Sequence, residues 1–100
     1  MKRRIKLLEY GGKMYVIIVY DVCVERVSKV CYFLRQYLNW IQNSVFEGEI
    51  TKTQLVEIEN GLKRLMNKDH DCVRIYTIRS KELVKLSNLG VEKVETEQFI

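Results

Sequence analysis

Apolar residues recur along the chain with two different periods, and the changes of period mark out its elements. Residues 14–20 (MYVIIVY) form an unbroken β-branched and aromatic run, the longest wholly apolar stretch in the sequence. Such a run predicts a central strand, either covered on both faces or held inside a dimer. Asp21 ends it. Over 24–38 the spacing becomes helical: Val27, Val30, Cys31, Leu34 and Leu38 share one stripe, while Glu25, Arg26, Lys29 and Arg35 take other faces. The segment 40–50 (WIQNSVFEGEI) returns to alternation and predicts a tight hairpin, with Asn43-Ser44 and Gly48 as turn or bulge points.

A second helix is predicted over 51–68. Thr51 and Gln54 stand at the spacing of a capping box, in which each side chain satisfies a backbone N–H at the helix start. Leu55, Ile58, Leu62, Leu65 and Met66 form its buried stripe. Gly61 falls inside it and should weaken the helix by about 1 kcal/mol relative to alanine. Asp69-His70-Asp71 reads as a solvated polar loop, 72–78 (CVRIYTI) as a strand, and 79–90 as a charged connector with a helical turn near 81–86. A short terminal strand is placed at 91–95. The order is strand, helix, two strands, helix, strand, with an extra C-terminal strand. That is an α+β, ferredoxin-like βαββαβ arrangement, a fold that by itself licenses no function.

Residues 1–13 depart from the pattern. Lys2, Arg3, Arg4 and Lys6 precede the Gly11-Gly12 pair. This basic N-terminal extension reads equally as a flexible arm, an extra strand, or a segment upstream of an ancestral start at Met14. Residues 14–100 then form a single ferredoxin-like domain.

One hundred residues bury only a thin core, which a second copy would thicken, so a homodimer is expected. The net charge of +4 suits a phosphate-rich partner without requiring one. Cys23, Cys31 and Cys72 form no CxxC and no zinc spacing. Each has apolar neighbours in sequence, which suggests small reduced core side chains and a cytoplasmic location. No apolar run is long enough for a bilayer, and the N-terminus lacks the apolar region of a secretory signal.

Asp21 is the sharpest chemical candidate because it lies where the first strand meets a helix. Its bland alternative is a turn or N-cap aspartate. One aspartate cannot cage a metal alone, but Mg2+ or another divalent cation keeps most of its waters and needs only one or two carboxylates. Two copies of Asp21 across a dimer axis could therefore hold one ion. His70, between two aspartates, reads as a solvated turn. No Gly-rich phosphate loop is present, and nothing places His70 beside a serine nucleophile. Arg26, Lys29, Arg35, Arg74 and Arg79 interleave with Tyr20, Phe46 and Tyr76, a combination suited to phosphate contact and base stacking but equally to an ordinary charged surface.

Tyr20-Asp21 at the strand end, the Gln42–Gly48 stretch QNSVFEG, and Arg74-Ile75-Tyr76 together resemble the CRISPR-associated protein 2 family, in order and spacing over 14–100. QNSVFEG is the most specific of these blocks. The resemblance implies a ferredoxin-like homodimer in which each C-terminal strand completes the partner's sheet. It implies metal-dependent endonuclease (endoribonuclease) activity, on RNA or DNA, for some members. It also implies an adaptation role, bridging the CRISPR integrase and holding the pre-spacer duplex. Asp21 matches the family's metal aspartate. Tyr20, Ser44 and Phe46 match positions implicated near that site, and Arg26 and Arg35 lie in the helix carrying its basic residues. Residues 1–13 have no counterpart in the resemblance. A non-catalytic DNA-binding scaffold is the alternative function. A ferredoxin-like metal carrier is disfavoured by the missing CxxC, and an RNA-recognition module by the missing RNP1 pattern.

Overall fold

A computed structural model of the chain describes residues 12–91. The N-terminal extension apart from Gly12 and Lys13, and the expected strand at 91–95 apart from Val91, lie outside the described residues. The elements are β1 (Met14–Asp21), α1 (Val24–Arg35), β2 (Asn39–Gln42), β3 (Val45–Ile50), α2 (Lys52–Leu65) and β4 (Cys72–Ile78), followed by a 3-10 turn at Lys81–Leu83. The four strands form one antiparallel sheet in the order β2-β3-β1-β4, the ferredoxin-like order.

Local chemistry sets each boundary. Thr51 Oγ1 accepts from the Gln54 N–H at 3.1 Å while Gln54 Oε1 accepts from the Thr51 N–H at 2.9 Å, so the capping box starts α2 as expected. The helix ends at Leu65, earlier than expected, because Met66 turns to an extended conformation. Helix α1 also stops early, at Arg35. The chain then tightens, with Tyr37 and Leu38 N–H groups both donating to the Leu34 carbonyl, which tucks Leu38 into the core. Between β2 and β3 the turn falls at Asn43-Ser44. Asn43 adopts a φ of 41°, a left-handed conformation that asparagine tolerates. The register shift of this hairpin lies between Trp40 and Gln42, not at Gly48. Gly61 has a packing reason: a Cβ there would overlap the Phe33 ring, so the glycine leaves room for that α1 side chain.

Strand alternation divides β1 between two environments. Val16, Ile18 and Tyr20 face the helices and share one cluster with Phe46 and Ile50 of β3, Val30, Cys31 and Leu34 of α1, and Ile58 and Leu62 of α2. Tyr15, Ile17, Val19 and Asp21 point to the other face. The register adds Val45, Glu47 and Glu49 from β3 and Cys72, Arg74, Tyr76 and Ile78 from β4. Neither helix covers this face, and Val19 remains 38% and Tyr76 48% exposed. Within the described residues the apolar run of β1 is thus covered on one side only. The cysteines also divide: Cys31 is buried and Cys23 half-buried, but Cys72 is exposed on the open face, contrary to the expectation of three core thiols.

Candidate active site and nucleic-acid interface

Asp21 is the last residue of β1 and is exposed on the open face. Its register partner is Cys72, the first residue of β4. The carboxylate makes no hydrogen bond or ion pair among the described residues. Ser44 is brought to the same end of the sheet, because its carbonyl accepts from the Tyr20 N–H at 3.1 Å. The turn carrying Ser44 is braced by Trp40, whose indole Nε1–H donates to the Asn43 carbonyl at 3.0 Å.

Tyr20 and Phe46, expected near this site, point away from Asp21 within the chain. Both side chains face the helices, opposite to Asp21, and Phe46 is fully buried. Their rings lie 6.1 Å apart, tilted by 32°. The Tyr20 hydroxyl meets Cys31 Sγ at 2.7 Å. Burial, and secondarily this hydrogen bond, pushes the phenol well above its ordinary pKa. These two aromatics support the strand from behind.

Asp71 is the residue whose role sequence reasoning missed. It belongs to a segment expected to be solvated, yet its side chain has no exposed surface. Oδ2 accepts from Arg26 Nε at 2.6 Å and from the Asn67 N–H at 2.8 Å. Oδ1 accepts from Arg26 Nη2 and from the Cys23 N–H, both at 2.9 Å. The Arg26 guanidinium, helped by the Asn67 and Cys23 N–H groups, holds this carboxyl well below the usual carboxylate range, against the opposing effect of burial. The same bond raises the Arg26 pKa further. Burial and the neighbouring Asp71 push the Cys23 thiol up. Arg26, expected among the phosphate contacts, is therefore committed inward, with only its Nη1 near Glu25 at 3.7 Å. Asp69 and His70 stay exposed, as expected of a solvated turn.

The other basic candidates remain at the surface but do not converge. Lys29 and Arg35 are exposed on α1, in the helical layer. Arg74 projects from the opposite, open face, 3.5 Å from the Tyr76 hydroxyl, and Arg79 follows β4. Among the described residues no three His, Cys, Asp or Glu side chains gather to hold a metal ion. Among the described residues, Asp21 fits half of a hard-cation site: an oxygen donor, exposed, with no described protein group competing for it. Among the described residues no helix is long and apolar enough to cross a membrane.

The sequence matches the family model for CRISPR associated protein Cas2 over residues 14–86. The chain belongs to the Cas2 family. A relative in Methanosarcina acetivorans, named CRISPR-associated endoribonuclease Cas2, is 48% identical over 87 residues, covering 87% of this chain and 100% of its own length. One of the same name in Methanocaldococcus jannaschii is 46% identical over 98 residues, covering 98% of this chain and 86% of that protein. That alignment reaches into the N-terminal segment, which therefore has a counterpart in at least this Cas2 relative, unlike in the resemblance drawn from motifs. A crystal structure of a Cas2 protein superposes with a TM-score of 0.75 at 49% identity, over 89% of this chain and all of that one. The Streptococcus pyogenes Cas2 structure gives 0.67 at 28% identity, over 76% of this chain and 99% of that one. The Cas2 fold thus persists where most side chains differ.

Proposed function

We propose that two copies of the chain pair through the open sheet face, and that the dimer is a nucleic-acid-binding protein of CRISPR adaptation with metal-dependent endoribonuclease activity at paired Asp21. The observation that carries this reading is the position of Asp21: a carboxylate with no bonding partner among the described residues, at the end of the central strand, on a sheet face that neither helix covers. A two-fold axis through that face would make two such carboxylates neighbours. The names of the relatives support RNA as substrate.

The pair of Asp21 carboxylates would hold the cation, and Mg2+ suits a site offering few protein oxygens. A divalent cation bound there would acidify a water and offset charge developing on the phosphodiester. Lys29, Arg35 and Arg79, which lie off the open face, would contact phosphates and fix the strand without reading its sequence, whereas Arg74 falls within the paired face. Ser44, at the rim, borders the scissile position.

One observation favours the scaffold alternative. Within the chain Tyr20 and Phe46 are turned into the core, away from Asp21. In that reading the dimer bridges the CRISPR integrase and holds the pre-spacer duplex, and Asp21 takes no part in bond cleavage. Asp21→Asn separates the two. Cleavage of RNA by the repurified variant should fall by orders of magnitude, with dimerisation and duplex binding intact. Cleavage equal to wild type would remove the catalytic claim and leave the scaffold.

A further inference from the structure

Asp71 is the only polar or charged residue that is buried among the described residues. A buried ion pair is a poor source of stability, since desolvation offsets most of the attraction. Its geometry is more informative than its energy. The four donors to Asp71 come from two places: Cys23 and Arg26 at the β1–α1 junction, and Asn67 in the loop that leads to β4. Cys23 is the N-cap residue of α1, and its own side chain caps nothing. The Asp71 carboxylate supplies the missing negative group at that helix start, from 48 residues away in sequence.

The same contacts bracket Asp21. On one side, Asp21 is in register with Cys72, the residue bonded covalently to Asp71. On the other, the chain leaves the strand through Val22 and is caught again at the Cys23 N–H by Asp71 Oδ1 at 2.9 Å. The planar Arg26 fork then fixes the orientation of the Asp71 carboxylate through two bonds. We infer that Asp71 and Arg26 form a positioning clamp, which sets the direction in which Asp21 presents its carboxylate to a divalent cation. This deepens the Asp21 reading and rests on it. It also gives Arg26 a role distinct from phosphate contact.

Mn2+ binding, followed through the paramagnetic resonance of the free ion, tests the clamp without relying on cleavage. The proteins are wild type, Asp21→Asn, Asp71→Asn and Arg26→Lys, each first shown by circular dichroism and sedimentation to match the wild-type fold and assembly at the working temperature. Asp21→Asn should abolish binding. Asp71→Asn should weaken it at least about tenfold, the scale on which groups that orient a metal ligand act. Arg26→Lys keeps the charge but not the fork, and should fall between Asp71→Asn and wild type. Metal-free RNA affinity should be the same in Asp71→Asn, Arg26→Lys and wild type, which a general loosening of structure would not give. Wild-type Mn2+ affinity in folded Asp71→Asn would overturn the clamp while leaving Asp21 as ligand. If Asp71→Asn does not fold, wild-type affinity in Arg26→Lys would overturn it. Identical binding by Asp21→Asn and wild type would sink the Asp21 reading itself, and the clamp with it.

Discussion

The two faces of the sheet are built from alternate residues of the same strands, yet they behave as different materials. On the helix side, Val16, Ile18, Phe46 and Ile50 are fully buried and pack with α1 and α2 into one cluster. On the open side, Val19 and Tyr76 keep over a third of their surface, and Glu47, Glu49, Arg74 and Asp21 stand among apolar neighbours. One face holds the chain folded. The other leaves charged and apolar groups that neither helix covers. A residue's contribution is decided by the parity of its position, so neighbours such as Tyr20 and Asp21 belong to different problems.

The sharpest way to break this contrast is on the buried side. Phe46→Ala removes a ring with no exposed surface and should lower unfolding free energy by about 3–5 kcal/mol in urea titration. Near-normal stability with lost cleavage would instead return Phe46 to the catalytic cluster.

A smaller effect lies at the open face. Tyr15 is only 8% exposed there, and burial, followed by its hydrogen bond to Glu47, pushes its pKa up to about 12. The folded state therefore holds the phenolic proton more tightly than the unfolded chain, whose tyrosines titrate near about 10. That stability is complete below about pH 10 and is lost as pH rises through about 12. Tyr15→Phe should flatten the alkaline limb of the stability curve over this range. An unchanged limb would remove Tyr15 from the account.

The smallest effect on the fold, and the most telling for assembly, is expected from Val19→Glu. A charge at this exposed position should alter monomer stability by no more than about 0.5 kcal/mol. By sedimentation it should shift the protein to an 11.9 kDa species. A dimer that survives this substitution uses another surface.

What sequence reveals here depends on how far apart the interacting residues are. The capping box of α2 is a contact between Thr51 and Gln54, and strand β4 is an uninterrupted run between polar loops, so both were legible. The position of Asp21 at the strand end was legible for the same reason. The Asp71 clamp was not: Arg26 and Cys23 are 45 and 48 residues away, and the sequence around Asp71 does not mark it off from the exposed Asp69. The burial of Tyr20 and Phe46 could have been found. Alternation that turns Asp21 outward turns Tyr20 inward, and the hairpin register then carries Phe46 to the same side.

The pairing pattern has a consequence for synthesis. Strand β1, the earliest of the four to leave the ribosome, pairs among the described strands only with partners made later: Val45 to Ile50 on one edge, Cys72 to Ile78 on the other. The hairpin of β2 and β3 can close soon after Ile50 emerges, and β1 can join it. Its second edge then stays unpaired for the seconds that translation takes to reach Ile78. During that interval the MYVIIVY segment, β-prone and without charge or proline, offers a template to any other nascent chain. The order of synthesis thus leaves the exposure of the first strand to be ended by the arrival of the last described one.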